Sequence, residues 1–148
     1  MADYIEHFFT QRSLLVEHVH TNESHIYKMR IRDSAGSVVG SAIYRVEKHS
    51  IELYKLENTG YFSKNPIYKG LGKQILVLVA ILARSLNIPT ISFTAVPNAV
   101  GENARKLFDY YKMLGAVPTS KILNEESWIQ FFELSVNAFL ETEGVSTS

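Results

Sequence analysis

The stretch Tyr68-Lys69-Gly70-Leu71-Gly72-Lys73, followed directly by the apolar segment Gln74–Leu86, decides the fold of this chain. Its glycines are one residue apart, and glycine permits the positive φ angles of a tight turn. Backbone amides at a helix start point outward, toward the positive end of the helix dipole. The stretch therefore predicts a turn that opens a helix and holds an anion such as a phosphate. A plain turn with solvated lysines is the alternative, and the motif alone favours neither.

The composition indicates one globular domain. The chain has 148 residues, of which 46% are hydrophobic, enough for one packed core. We predict a single domain over residues 1–148, with residues 141–148 as a flexible tail. The formal net charge is zero, so we do not expect nucleic acid as a partner. Cysteine is absent, which excludes disulfides, thiolate metal sites and a cysteine nucleophile.

Neither a secretory signal nor a membrane span is predicted. Residues Met1–His7 contain no basic region and no long apolar run. The longest apolar stretch, Ile75–Ala83, is broken by Arg84 and is too short to cross a bilayer. We therefore expect a cytoplasmic protein without a membrane partner.

The first half of the chain is typical of an antiparallel meander. Turn-forming clusters at Thr21–Ser24 and Asp33–Gly36 separate segments rich in branched or alternating apolar residues. The predicted strands are Ser13–His20, His25–Arg32, Val38–Glu47 and Ile51–Leu56. The segment Asp3–Thr10 is predicted as either a helix or a strand.

The second half changes to a helical period. Apolar spacing predicts a largely buried helix over Gly72–Leu86 and a second helix over Glu102–Leu114, with a strand at Thr90–Val96 between them. Asn87 suits the end of the first helix, and Gly115 suits the end of the second. The order strand, helix, strand predicts a parallel crossover beside the meander.

The end of the chain is predicted to be a hairpin. Its strands are Ala116–Leu123 and Trp128–Val136, joined by a polar turn. The aromatic residues from Trp128 to Phe139 also fit a helical stripe, and they are a candidate subunit contact in a homodimer.

Common nucleotide-binding loops do not fit the glycine stretch. A P-loop needs glycine five residues before Gly72 and Ser or Thr after Lys73, but Ile67 and Gln74 occupy those positions. A Rossmann loop needs a third glycine where Ile75 lies, and it normally follows the first strand of a βαβ unit.

Residues Glu52 to Ala116 resemble the core of the GNAT superfamily of N-acetyltransferases. The family signature Q/R-x-x-G-x-G/A lies between a strand and a long helix, and here it begins at Ile67 and ends at Gly72. A later family helix ends in Tyr-x-x-x-Gly, which matches Tyr111 to Gly115. The resemblance implies an α/β (α+β) fold, with a mixed, mostly antiparallel sheet and a central β-α-β-α crossover.

The resemblance implies an acyl-CoA-dependent N-acyltransferase. It most simply transfers acetyl from acetyl-CoA to an amine of a small molecule, peptide or protein, by direct attack in a ternary complex. Acyl-CoA is the expected co-substrate, the acceptor is open, and no metal is expected. The alternative is a non-catalytic GNAT-like module that binds acyl-CoA or another protein. Transfer of a longer acyl chain is also left open.

The resemblance also assigns the residues that bind the cofactor. The pantetheine arm would lie where the fourth and fifth strands part, between Ile51–Phe62 and Thr90–Val96. Asn103 would hydrogen-bond to this arm, although it also suits a polar helix start. The CoA pyrophosphate would be bound by the backbone amides of Lys69, Gly70, Leu71, Gly72 and Lys73.

Two residues are predicted to be catalytic. Tyr111 lies at the family's tyrosine position and would protonate the departing CoA thiolate, a role that suits a neutral phenol. Glu57 would take a proton from the acceptor amine, with Glu52 as the second choice and water as a further one. The structural alternatives are an aromatic core residue for Tyr111 and solvated strand residues for the glutamates.

The sequence departs from the family pattern at three places. Ile67 replaces the usual Gln or Arg, so a polar phosphate contact is lost. The segment before His25 is too short for a strand and two helices of roughly 11–12 residues each. This predicts an open acceptor cleft, a cleft completed by a partner subunit, or a macromolecular acceptor. Gly101 lengthens the approach to the last helix and shifts the register of Asn103.

Overall fold

A computed structural model describes residues 8–58, 70–95, 102–119 and 130–145. These residues form a helical turn at 8–11, seven strands and three helices. The strands are β1 (Leu15–His20), β2 (Ile26–Arg32), β3 (Val38–Val46), β4 (Ser50–Asn58), β5 (Thr90–Ala95), β6 (Val117–Pro118) and β7 (Gln130–Ser135). The helices are α1 (Leu71–Ser85), α2 (Glu102–Met113) and α3 (Val136–Thr142).

The sheet is mixed and mostly antiparallel. Its strand order is β1-β2-β3-β4-β5-β7-β6, and within the described residues β4 and β5 are the parallel pair. Parallel neighbours need a crossover connection, which α1 provides between them. The chain then continues from β5 through α2 to β6. The predicted α+β fold with a central β-α-β-α crossover is therefore confirmed.

The end of the chain contains both a paired strand and a helix, the two structures that its sequence pattern allows. β6 and β7 pair antiparallel, which confirms the predicted hairpin over the described residues. The strand ends at Ser135, and α3 begins at Val136 with the Ser135 hydroxyl accepting a hydrogen bond from the Ala138 amide. The prediction that the strand includes Val136 is therefore wrong, since a side-chain cap starts a helix there. Trp128 lies outside the described residues.

The predicted flexible tail also differs from the structure at its start. Residues Glu141 and Thr142 belong to α3, and the amide of Val145 donates to the carbonyl of Leu140 at 2.8 Å. The side chain of Val145 is buried in the core. Residues 141–145 are therefore part of the fold, because an apolar contact follows the helix end.

A residue in the left-handed backbone conformation ends each of the first two helices, at the positions that the sequence predicts. Asn87 has φ of 59°, and the amide of Ile88 donates to the carbonyl of Ala83 at 2.8 Å. Gly115 has φ of 98°, and the amide of Ala116 donates to the carbonyl of Tyr111 at 3.0 Å. Both are Schellman-type ends, and the second fixes the turn of α2 that carries Tyr111.

All three helices pack on one face of the sheet. Leu71 and Ile75 of α1 lie over Gly40 of β3, and α3 packs against α1. The aromatic residues of α2 contact Phe132 of β7 on this same face. Along each strand, alternate side chains point to the opposite face of the sheet. None of these three helices packs on that face, which we call the helix-free face. No helix in the described part of the chain is long and apolar enough to span a membrane.

The connection between β1 and β2 contributes no helix to the helix-free face. Residues 21–25 join the two strands directly, and the carbonyl of Ile26 accepts hydrogen bonds from both the amide and the hydroxyl of Thr21. A connection this short holds no helix. This agrees with the expectation that two helices of the family pattern are absent before the second strand.

Gly40 sets the distance between α1 and the sheet. A Cβ atom added there would lie 2.8 Å from Cδ1 of Ile75, 3.3 Å from Cδ2 of Leu71 and 3.3 Å from the carbonyl oxygen of Glu57. Only glycine therefore lets the first turn of α1 approach β3 this closely.

We predict that Gly40→Ala lowers the free energy of unfolding by about 1–3 kcal/mol, because the added methyl overpacks the contact with Ile75. Urea denaturation followed by circular dichroism measures the change. Ser37→Ala, at an exposed turn position, is the control and should shift stability by less than about 0.5 kcal/mol. Equal stability of Gly40→Ala and the original protein would contradict the tight contact.

Candidate active site

The candidate site begins where β4 and β5 stop pairing. Their parallel register extends from Ser50–Thr90 to Leu53–Phe93, although β4 continues to Asn58 and β5 to Ala95. Just beyond this point the register of β4 against β3 shifts, and Tyr54 is left without an opposite residue. Such a bulge bends and twists its strand, which favours separation from β5. The predicted parting of the two strands is thus present in the described residues.

The glycine turn lies at the N-terminus of α1. Gly70 is exposed, has a left-handed φ of 79° and occupies the N-cap position. No side chain caps this helix, and its first turn contains no acidic residue. The amides of the first turn and the positive end of the helix dipole are therefore presented to the surface, where they suit an anion.

The predicted phosphate-binding residues are only partly described. Leu71 and Gly72 belong to the first turn of α1, and the Leu71 side chain is fully buried. Lys73 follows them, with its ammonium 3.0 Å from the carboxylate of Glu143 beyond α3. Lys69 lies outside the described residues. Asn103 is in the first turn of α2, and the structure describes only its backbone.

A third residue stands beside the Lys73–Glu143 ion pair. Burial raises the pKa of the Tyr110 phenol, Lys73 lowers it and Glu143 raises it again. Because both charged groups act on this phenol, α2 brings it next to the start of α1. A lysine and a phenol are therefore close together where α1 begins.

Tyr111 packs into the wedge between α2 and the parting strands. Its ring centroid is 4.7 Å from that of Phe93 and 5.8 Å from that of Phe132. Phe93 is the last residue of β5 that pairs with β4, so Tyr111 lies beside the point of separation. The structure thus gives Tyr111 an aromatic packing role, and it also places its phenol beside the gap between the strands.

Burial sets the protonation of this phenol. Desolvation, with a smaller contribution from Tyr110, raises the pKa of Tyr111 to about 12. Among the described residues its hydroxyl has no hydrogen-bond partner. The phenol therefore stays neutral near pH 7 and retains a proton that it can donate.

The predicted carboxylates lie on the other face of the sheet. Glu57 pairs with Ser41 in the β3–β4 register and Glu52 with Arg45, and neither position is on the helix-covered face. The Glu57 carboxylate is 2.8 Å from the Lys55 ammonium and 3.5 Å from the Ser41 hydroxyl. The structure thus does not bring Glu57 into contact with Tyr111, since the sheet lies between them.

A cavity of about 280 Å³ opens on the helix-free face beside the parting. Its lining includes Glu52 but not Glu57, together with Tyr54, Ser92, Thr94, Phe131 and Glu133. Sequence reasoning identified Glu52 as a site residue and did not single out the other five, although Tyr54, Ser92 and Thr94 lie in the two strands predicted to part. They carry no local motif, and only the register of β4, β5 and β7 brings them together. Their one sequence signal is the alternation of polar residues along β5 and β7.

The raised pKa of Tyr111 predicts a loss of stability in alkali. The folded protein holds the phenol proton up to about pH 12, whereas the unfolded chain releases it near the ordinary pKa of 10.0. The resulting stabilisation is complete below pH 10 and is lost as pH rises through about 12, by up to about 2–3 kcal/mol. Denaturation series over this range should therefore show a smaller alkaline loss in Tyr111→Phe. An identical loss in both proteins would place the titrating group elsewhere.

No family model matches the chain, and no curated protein matches its sequence. Solved structures do match. Spermidine/spermine N-acetyltransferase SpeG from Vibrio cholerae is 11% identical, with a TM-score of 0.61 over 95% of this chain and 91% of that one. A protein from Desulfovibrio desulfuricans assigned to the GNAT family of acetyltransferases is 13% identical, with a TM-score of 0.58 over 76% of this chain and 70% of that one.

A third similar structure contains coenzyme A. It is the PaiA N-acetyltransferase of Thermoplasma acidophilum, 14% identical, with a TM-score of 0.55 over 75% of this chain and 61% of that one. At such identities the likeness is one of fold. The parted strands, the glycine turn at the start of α1 and the shared architecture together establish that this chain has the GNAT fold, as its sequence resemblance predicted.

Proposed function

We propose that this protein is an acyl-CoA-dependent N-acyltransferase, which most simply transfers acetyl from acetyl-CoA to an amine. The observation that carries the proposal is the parting of β4 and β5 after Leu53 and Phe93. An uncapped glycine turn lies on the helix-covered side of the sheet, and a cavity opens on the other side. A donor and an acceptor can then approach one reacting carbon from opposite faces.

The start of α1 is proposed to bind the CoA pyrophosphate. The amides of Gly70, Leu71 and Gly72 provide donors at the positive end of the helix dipole, and Lys69 and Lys73 add charge. A pyrophosphate is a stronger partner for Lys73 than a single carboxylate is, so Glu143 holds the ammonium near the turn until the cofactor arrives. Asn103 is proposed to hydrogen-bond to the pantetheine arm.

The proposed reaction is direct attack on the thioester. The acceptor ammonium first loses a proton, and its nitrogen then bonds to the carbonyl carbon. The carbon–sulfur bond breaks, and the sulfur leaves with the bonding electron pair and takes up one proton to form the CoA thiol. The nitrogen, now bonded to the acyl carbon, releases its second proton to water, which leaves the amide, and water returns a proton to the group that protonated the sulfur. Tyr111 is proposed to supply the thiol proton, since its pKa of about 12 keeps the phenol protonated and it lies beside the gap.

The proton acceptor is proposed to be a carboxylate on the helix-free face. Glu57 is the first candidate, at the end of the strand beside the expected acyl site, and its carboxylate is 2.8 Å from the Lys55 ammonium. Glu52 lines the cavity itself, which favours it for direct contact with the amine. A water between the amine and Glu57 would serve the same purpose over a longer distance.

The similar structures support catalysis over a binding-only role. The names of two of them specify N-acetyltransferases, SpeG and PaiA, and the second was solved with coenzyme A. Ile67, which replaces the polar head of the family signature, is the feature that favours a module that binds without turnover. Binding and turnover are therefore tested separately.

We expect Gly72→Glu to weaken acetyl-CoA binding at least about tenfold, ~1.4 kcal/mol. The new carboxylate would lie in the first turn of α1, where a pyrophosphate is proposed, and the two would repel. Isothermal titration calorimetry measures the change. Gly72→Ala adds bulk without charge and should bind better than Gly72→Glu.

Ser24→Glu is the matched control for added charge. It lies in the exposed turn between β1 and β2, at the sheet end opposite to the end of β4. Its affinity for acetyl-CoA should equal that of the original protein. If the original protein does not bind acetyl-CoA at all, the acyltransferase proposal is wrong.

We expect Tyr111→Phe to lower kcat by about 10²-fold or more while the affinity for acetyl-CoA stays the same. Loss of the proton donor affects departure of the thiolate, whereas the ring still packs against Phe93. Thiol release with a mixture of amines measures turnover. Glu57→Gln and Glu52→Gln in the same assay identify the base, because only loss of the true base removes the acidic limb of the pH profile. Unchanged turnover in Tyr111→Phe would remove this residue from the mechanism.

A further inference from the structure

The cavity on the helix-free face has a chemical character that the proposed reaction does not require. Two carboxylates, Glu52 and Glu133, belong to its lining, and a single base suffices to deprotonate an amine. Aromatic side chains of Tyr54 and Phe131 also line it. The second carboxylate and the aromatic side chains are therefore features that would bind a particular class of acceptor.

Strand register fixes the positions of the carboxylates. Glu52 of β4 is opposite Ser92 of β5, and Ser92 is opposite Glu133 of β7. The three residues thus form one row across the sheet, with Ser92 in the middle. At the usual strand spacing the outer two backbones are roughly 9–10 Å apart. A single ammonium cannot contact both carboxylates closely, whereas a molecule with two positive charges can.

The two carboxylates differ in their surroundings. Glu52 has Arg45 as its cross-strand neighbour, and the Arg45 guanidinium is itself 2.9 Å from Glu47. Glu133 lies opposite Val117 on its other side, and among the described residues it has no ion-pair partner. Within the described residues, the cavity therefore has a carboxylate without an ion pair at the β7 side, away from the parting of β4 and β5.

The aromatic walls suit an alkylammonium chain. Tyr54 is 48% exposed and Phe131 is 43% exposed, which is unusual for side chains of this size on a sheet. Aromatic faces attract ammonium groups, and they also cover the methylene groups between two amines. Each carboxylate has one of these rings two residues away on its own strand, Tyr54 beside Glu52 on β4 and Phe131 beside Glu133 on β7. Two carboxylates with an aromatic ring beside each match a flexible chain with charged ends.

We propose that the acceptor is a diamine, whose distal ammonium is held by Glu133 while its other nitrogen reaches the thioester at the parting of β4 and β5. The distance from β7 to the midpoint between β5 and β4 is roughly 7 Å, which an alkyl chain of about five carbons spans. The inference rests on the proposed acyltransferase function and names its substrate class. Glu133 acts as a specificity residue and takes no part in bond making.

Cadaverine and pentylamine test the inference, because they have the same carbon chain and differ in the second amine. Cadaverine should have a kcat/KM about fivefold higher than pentylamine, the effect of one partly exposed ion pair. Glu133→Gln should lower kcat/KM for cadaverine by the same factor and leave that for pentylamine unchanged. Loss of a proton acceptor would instead lower the rate with both amines.

Glu23→Gln is the matched control, since it removes one exposed carboxylate from the turn between β1 and β2. It should preserve the preference for cadaverine. Thermal unfolding of each variant establishes that its fold is retained. Equal kcat/KM for the two amines in the original protein, or equal losses for both amines in Glu133→Gln, would overturn the inference and leave the acyltransferase function standing.

Calorimetry separates failure of the inference from failure of the proposed function. Absence of turnover with any amine, together with absence of acetyl-CoA binding, would overturn the proposed function. Calorimetric titration of cadaverine into the protein without cofactor then tests the diamine site independently of turnover. Binding that Glu133→Gln weakens supports the diamine site, and absence of binding overturns it.

Discussion

The separation of β4 from β5 is the constraint on which the rest of this structure depends. Parallel strands normally continue their hydrogen bonds to the sheet edge, yet this pair stops at Leu53 and Phe93. The bulge at Tyr54 twists β4, and the rings of Phe93, Tyr111 and Phe132 fill the helix side of the gap. Beyond that point β4 remains paired with β3 and β5 with β7, so the gap between them is where the proposed pantetheine arm would lie.

The gap connects two surfaces of opposite character. On the helix-covered face, the start of α1 offers amides, a positive dipole end and Lys73, and so attracts anions. On the helix-free face, Glu52 and Glu133 make the cavity negative and suited to cations. In the proposed reaction, an anionic thioester and a cationic amine would therefore enter from different sides. This division of charge would give each its own approach and disfavour the binding of either on the wrong side.

The positions of the helices explain why the second surface is open. Residues 21–25 connect β1 to β2 without a helix, and α1, α2 and α3 all lie on the other face. Glu52 and Glu133 are exposed on this face, and Ser92 between them is half-buried, one residue before the strands part. The first turn of α1, which follows the glycine turn, packs closely on β3 at Gly40.

Local patterns in the sequence were sufficient for the elements and for one side of the site. Turn clusters and apolar periods predicted β1 to β5 and α1 and α2 to within two residues. Gly70, Leu71 and Gly72 identified the helix start because a left-handed glycine before a helix is a local property. Tyr111 was identifiable because it stands at a fixed distance from the glycine that ends its helix.

Contacts between distant segments decided the rest. The ion pair of Lys73 with Glu143 joins residues far apart in the chain. The capping hydroxyl of Ser135 turned a predicted strand end into the start of α3. The row of Glu52, Ser92 and Glu133 depends on the register of three strands, and a shift of one residue would turn Glu133 to the other face. Sequence alone predicted the glycine turn that opens α1, because that follows from local backbone geometry. Only the tertiary structure determined which carboxylates line the cavity, because strand register is set by packing across the whole sheet.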